Sequence, residues 1–173
     1  MCFYLTAILP KTADIGIAKQ ILNQYNLDIS LVNNQYLSNQ LHGRQYYFRI
    51  TKDYCDCDTL FGCLAQNEKS MDKEITKLKK KGWGQAKIDK WLENWENSTA
   101  EQYIAQFTVW QNCFFRIFDE NIASSMGLLK HWYHDDLGDE KINIVRIESI
   151  KIDDIILASF LKMEEDVLYQ FYT

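Results

Sequence analysis

Proline is nearly absent from this chain, and glycine is sparse. One proline and seven glycines occur among 173 residues, whereas disordered and collagen-like chains are rich in one or both. Hydrophobic residues make up 47% of the sequence and aromatic residues 14%, which is enough apolar surface to offset the entropy lost on folding. We therefore expect residues 1–173 to form a single globular domain that needs no disulfide or metal to fold.

Long apolar runs are also lacking. The stretch at 155–161 is flanked by Asp153, Asp154 and Lys162 and is far shorter than the roughly 20 residues of a membrane helix. The opening residues, MCFYLTAIL, have neither a basic leader nor a small-residue cleavage site. Cysteine occurs five times, an odd number that implies no disulfide framework. We expect a soluble cytoplasmic protein with free thiols and no membrane partner.

The common catalytic motifs are missing as well. The sequence contains no P-loop, dinucleotide fingerprint, nucleophile elbow, zinc-protease motif or paired C-x-x-C motifs. The leading hypothesis is therefore a non-catalytic binding or regulatory protein that engages a macromolecule through a charged surface and needs no cofactor. A thiol-dependent or metal-dependent enzyme is the alternative, so the sequence leaves open whether the protein is an enzyme at all.

Hydrophobic periodicity predicts the elements in the order β-α-β-β-α-α-α-β-β-α-β. Three successive helices are predicted between residues 69 and 118, and a capping box of Ser98 and Glu101 opens the third, which centres on Trp110. Residues 128–134 and 141–148 are predicted as strands joined by the turn sequence DDLGDE into a hairpin. The order favours an α+β fold with a largely antiparallel sheet and a central helical block.

The segment DYCDCDTLFGC, residues 53–63, holds the densest set of polar and sulfur side chains. In an extended segment Cys55 and Cys57 point the same way, so both sulfurs could reach one ion. Zinc is the expected ion, and two further ligands would be needed. The candidates are Cys63, His42, His131, His134 and Cys2. Against this metal site stands the ordinary alternative that these cysteines are small residues packed in the core.

The same segment permits a second interpretation. If Asp58 or Thr59 caps a short helix, Cys57 lies just before a helix N-terminus, whose dipole favours the reactive thiolate. The flanking acids Asp56 and Asp58 oppose an anionic sulfur, and no histidine is near in sequence to act as a base. A catalytic cysteine is therefore the weaker prediction for this segment.

Two histidines, His131 and His134, stand beside Asp135 and Asp136. This grouping suggests a metal or acid-base site, but residues three apart on a strand face opposite sides of the sheet. Because the segment is predicted as a strand, joint chelation by the two histidines is disfavoured. An amphipathic strand that enters an acidic turn explains the same residues.

Lysines are concentrated in one part of an otherwise acidic chain. The formal net charge is −5, yet residues 69–91 carry eight lysines and only three acidic residues. Lys69, Lys73, Lys77 and Lys80 recur at helical spacing and are predicted to form a cationic stripe. The stripe is interpreted as a solvated face or as a docking surface, for an acidic protein first and nucleic acid second. Arginine, the main base-reading residue, is absent from the segment.

Overall fold

The structure is a computed structural model, which describes residues 2–41, 44–51, 55–57, 59–134 and 138–173; for residues 63–70 and 72 it describes the backbone alone. Its strands are β1 (Cys2–Pro10), β2 (Asp28–Leu31), β3 (Gln45–Thr51), β4 (Ser125–Tyr133), β5 (Arg146–Lys151) and β6 (Val167–Tyr172). Its helices are α1 (Ile15–Gln24), α2 (Gln35–Gln40), α3 (Cys63–Lys80), α4 (Gln85–Asp119) and α5 (Leu157–Leu161), and a 3-10 turn spans Ile152–Asp154.

The six strands form one sheet in the order β2-β3-β1-β4-β6-β5. Every neighbouring pair is antiparallel except β5 and β6, which are parallel. The predicted α+β class with a largely antiparallel sheet is therefore confirmed. No described helix is both long and apolar enough to cross a membrane.

Each face of the sheet has its own hydrophobic core, because side chains alternate along every strand. The larger core contains Leu5, Ala7 and Leu9 of β1 and is covered by buried residues of α1, α4 and α5. The smaller core lies on the opposite face, where Ile8 of β1 packs with residues of α2 and of the segment at 138–145. The start of β1 and the end of β4 lie side by side, with Cys2 opposite Tyr133.

Three details of the predicted order are wrong. Helix α2 was not expected; it begins where the buried Asn34 accepts hydrogen bonds from the backbone N–H groups of Tyr36 and Leu37, an N-cap arrangement. Two helices rather than three fill the middle of the chain, since α4 continues for 35 residues through Ser98.

The third error is the predicted hairpin of residues 128–134 and 141–148. Strand β4 pairs with β1 on one side and β6 on the other, so it has no edge left for β5. Residues 141–145 are not in a strand, and β5 begins only at Arg146. The final strand, β6, is present as expected.

Candidate metal centre

Three cysteine sulfurs converge at the start of β1. The Sγ atoms of Cys2, Cys55 and Cys57 lie within 4.8 Å of one another, and all three residues are partly exposed. We call these residues the thiol cluster. Cys2 is the first residue of β1, whereas Cys55 and Cys57 follow β3, so the cluster joins two parts of the chain that are more than fifty residues apart. The predicted convergence of Cys55 and Cys57 is observed, and Cys2 joins them.

Backbone hydrogen bonds hold the segment 55–57 against β1. The Asp56 N–H donates to the Phe3 carbonyl at 2.9 Å, and the Leu5 N–H donates to Asp56 Oδ2 at 2.8 Å. The Phe3 N–H donates to Cys57 Sγ at 3.3 Å. Buried backbone groups need such partners, and here they position two of the three sulfurs.

Burial opposes ionisation of the Cys57 thiol. It raises the pKa of Cys57 to about 12, because the hydrogen bond from Phe3 only partly offsets desolvation and the neighbouring thiols raise the pKa further. Moreover, α3 begins at Cys63 with Gly62 as its N-cap, so Cys57 does not immediately precede a helix and gains no thiolate stabilisation from one. This geometry argues against the reactive-cysteine interpretation, whereas a bound cation would favour deprotonated sulfur directly.

Asp56 lies between the two cysteines but points into the protein. It is only 3% exposed, and burial raises its carboxyl pKa to about 7, despite the Leu5 N–H and the charge of Arg49, which both lower it. Asp56 therefore serves as the acceptor that fixes the segment on β1. The expected electrostatic opposition to an anionic Cys57 is weakened whenever this carboxyl is protonated.

Gly62 allows the chain to turn back on this segment. A β-carbon at Gly62 would lie 2.3 Å from the Asp56 carbonyl oxygen and 2.6 Å from that of Cys57. Only a residue without a side chain fits against those backbone atoms. The Thr59 side chain also contributes, donating its hydroxyl to the Asp56 carbonyl at 2.8 Å. The loop geometry thus depends on Gly62 as well as on the cysteines.

A second polar group surrounds His131 on β4. Its Nδ1 lies 2.5 Å from Asp166 Oδ1, and its Nε2 lies 3.8 Å from Glu140 Oε1. His131 is buried, and Nε2 has no hydrogen-bond partner among the described residues. One ligand atom each from His131, Glu165 and Asp166 also lie within 4.8 Å of one another.

Among the described residues, neither His131 nor His134 belongs to the thiol cluster. His131 belongs to its own group with Glu165 and Asp166, and His134 is exposed after the end of β4. Cys63 begins α3, but its side chain lies outside the described part, as does His42. The expectation that His131 and His134 would not chelate together is consistent with one being buried and the other exposed.

The partners of His131 were missed at the level of sequence. Asp166 is 35 residues away along the chain, and Glu140 lies in a segment that was expected to be turn. No local pattern links a strand histidine to acids at such separations. Only the pairing of β4 with β6, together with the bridge between Lys130 and Glu165, places them together.

Three of the four predicted stripe lysines can be placed. Lys73, Lys77 and Lys80 are exposed on α3, and Lys77 forms an ion pair with Glu74; the side chain of Lys69 lies outside the described part. Ile75 and Leu78 of the same helix are half-buried, and whether the lysines serve as a docking surface stays a prediction.

No family model matches this chain, and neither a curated protein nor a solved structure matches it.

Proposed function

We propose that this protein binds one thiophilic metal ion, with Zn²⁺ as the first candidate, through the thiolates of Cys2, Cys55 and Cys57. The observation that carries the proposal is the convergence of three sulfurs within 4.8 Å from two distant parts of the chain. Thiolates are the ligands preferred by zinc and by other soft or borderline ions.

The spacing of the sulfurs supports the proposal. With zinc–sulfur bonds of about 2.3 Å, tetrahedral ligands lie about 3.8 Å apart, so small side-chain rotations would bring the cluster onto one ion. The Phe3 N–H that donates to Cys57 Sγ is the kind of outer hydrogen bond that orients metal ligands. Binding would release protons from the thiols and would therefore weaken as the pH falls.

The number of ligands bears on the role of the ion. Structural zinc sites are closed by four protein ligands, whereas catalytic sites have three and keep one exchangeable position. The described residues supply three cysteines, all partly exposed. If the fourth position is filled from solution rather than by a further side chain, the site matches a catalytic one, which would support the metal-dependent enzyme among the two functional hypotheses.

Metal content tests this proposal. Untagged protein purified under reducing conditions and incubated with Zn²⁺ should retain one equivalent after desalting. The double variant Cys55→Ala/Cys57→Ala should retain one equivalent less than the parent. Substituting Co²⁺ should give sulfur-to-cobalt charge-transfer absorption in the parent and none in the double variant.

Cys113→Ala is the matched control, because Cys113 is a free cysteine buried in α4. It should bind cobalt with the same charge-transfer absorption as the parent. Parent protein without such absorption at saturating Co²⁺, or absorption that survives in the double variant, would contradict the proposal.

A second candidate function is docking of an acidic protein on the cationic stripe. Lys73, Lys77 and Lys80 are exposed, and the N-terminal half of α4, which follows them, contributes a single buried residue, Ile88. The helices near the stripe thus present charge without filling the main core. Complementary charge of this kind speeds and directs association more than it stabilises the fold.

The triple variant Lys73→Gln/Lys77→Gln/Lys80→Gln tests docking. If the stripe binds an acidic partner, partners recovered from a native extract at low salt should be lost in the variant, and parent binding should weaken at moderate salt. Stability should change little, because exposed charges contribute little to folding. Recovery of the same partners by both proteins would show that the stripe is not the docking surface. Binding of nucleic acid with an affinity that falls steeply as salt rises would identify nucleic acid, rather than an acidic protein, as the partner class.

A further inference from the structure

Strand β5 lies at one end of the sheet, and among the described strands it pairs with β6 alone. Its exposed residues are Arg146, Ile147, Ser149 and Lys151. Ile147 is 52% exposed, and Val145, just before the strand, is 66% exposed, so the edge presents apolar surface as well as charge. An open edge of this kind is where a further strand can add to a sheet.

A hydrogen bond just before β5 shows which backbone groups face outward. The Val145 N–H donates to the Asp166 carbonyl at 2.8 Å and therefore points toward β6. Backbone groups alternate in direction from one residue to the next along an extended strand. The N–H and C=O groups of Arg146, Glu148 and Ile150 consequently point away from the sheet, where an added strand would pair with them.

The side chains at this edge carry charges of both signs. Arg146 Nε donates to Glu148 Oε1 at 2.7 Å, and Arg146 Nη2 donates to Glu164 Oε1 at 2.6 Å. Because side chains alternate along a strand, Arg146 and Glu148 lie on one face of the sheet and Ile147 lies on the other. Charges on an edge usually discourage pairing with another strand, but their effect depends on which residues come to lie opposite them.

The pattern of β5 is complementary to itself in one antiparallel register. With Ile147 opposite its own copy, Arg146 of each chain lies opposite Glu148 of the other, and the outward backbone groups of these residues can exchange hydrogen bonds. Opposite charges and apolar side chains that lie directly across from each other stabilise paired strands. A pair centred on Glu148 would instead oppose two carboxylates, and a pair centred on Ser149 would place Lys151 opposite Ile147.

We propose that a second copy of this chain docks on β5, so that the two strands pair antiparallel about a two-fold axis at Ile147. The same surface then serves both copies, as in most homodimers. The paired stretch is short, because the Ile144 N–H, at the next outward position before Arg146, already donates to Gln40 Oε1 at 2.8 Å. We therefore expect a weak dimer, with a dissociation constant of about 10–100 μM. It uses no residue of the thiol cluster, so it stands or falls independently of the proposed metal binding.

Analytical ultracentrifugation tests the dimer, under reducing conditions and with a chelator, so that neither disulfides nor metal ions link the chains. The weight-average mass of the parent should rise from the 20.5 kDa of one chain toward twice that value as the concentration approaches about 1 mM. Ile147→Glu places two carboxylates at the axis and should stay monomeric over the same range. Leu31→Glu is the matched control and should dimerise like the parent, because Leu31 is 69% exposed on β2, at the opposite edge of the sheet.

Exchanged charges test the register. Arg146→Glu and Glu148→Arg each place like charges opposite each other in a homodimer, so each variant alone should be monomeric, with a circular dichroism spectrum like that of the parent. An equimolar mixture of the two should form a heterodimer, because one strand then carries two acids and the other two bases. A parent that stays monomeric at about 1 mM would overturn the proposal, and so would a dimer that survives Ile147→Glu or is lost in Leu31→Glu. Failure of the mixture to associate would overturn it as well, since the register is part of the proposal.

Discussion

At Gly62 a single methyl group should disturb the thiol cluster without removing a ligand. The β-carbon of Gly62→Ala would lie 2.3 Å from the Asp56 carbonyl oxygen, and because that oxygen belongs to the backbone, the segment 55–57 must move. We expect Zn²⁺ affinity to fall at least about tenfold, since displacing the supports of metal ligands typically costs that much. Calorimetric titration of parent and variant measures the effect.

Gly84→Ala is the control for this prediction. Gly84 precedes α4, and a β-carbon there meets nothing within 4 Å. Its zinc affinity should equal that of the parent. If Gly62→Ala binds zinc as tightly as Gly84→Ala does, the loop does not depend on the close approach described above.

The thiol cluster and the polar group around His131 differ in how far the sequence could predict their residues. The shared direction of Cys55 and Cys57 follows from the alternation of side chains in extended chain, so their convergence was predictable. Cys2 was one of several equivalent candidates, because nothing local says which strand end lies beside residue 55. The contact of His131 with Asp166 depends on the register of β4 with β6, which no short pattern encodes.

Among the elements, α4 carries the main packing contribution of the helices. Trp110, Phe114 and Phe118 are buried in the larger core, and the Trp110 ring meets that of Phe61 edge-on with centroids 5.4 Å apart. Trp110→Ala should lower the free energy of unfolding by about 3–5 kcal/mol, measured by urea denaturation. Trp95, only half-buried in the outer part of α4, provides the comparison.

Trp95→Ala should cost clearly less, because fewer atoms leave a packed environment. The core assignment of α4 fails if Trp110→Ala unfolds at the same urea concentration as the parent, or if the two tryptophan variants are equally destabilised.

The errors at element level have a physical origin. Ser98 and Glu101 match a capping box, but a serine in an exposed helix interior costs only a few tenths of a kcal/mol relative to better helix formers. The half-buried residues Trp95, Thr99 and Tyr103 recur at four-residue spacing through this point, so one face of α4 continues past Ser98 and continuing the helix outweighs a cap. The predicted hairpin failed because a turn sequence favours reversal of the chain without deciding which strand the chain then joins.

At the scale of the whole molecule, the clustered lysines lie on different elements from the thiol cluster and from His131. The lysines lie on α3 and the start of α4, whereas Cys2 of the thiol cluster and the buried His131 lie on the neighbouring strands β1 and β4. Composition predicted the basic segment within an acidic chain, because charge can be counted along the sequence. The positions of the thiol cluster and of the polar group around His131 depend instead on the sheet order β2-β3-β1-β4-β6-β5, in which strands distant in sequence become neighbours.

That sheet order also constrains when the protein can assemble during synthesis. Strand β5 is made before β6 but is joined to the sheet only through β6, so it has no partner strand until the chain has grown past Val167. Until then the edge of β4 that will pair with β6 is open. The exposed residues Val145, just before β5, and Ile147 belong to a segment that has no partner strand yet. Unpaired edges of this kind are prone to aggregation. The nascent chain is therefore most vulnerable in the interval between the appearance of β4 and the arrival of β6.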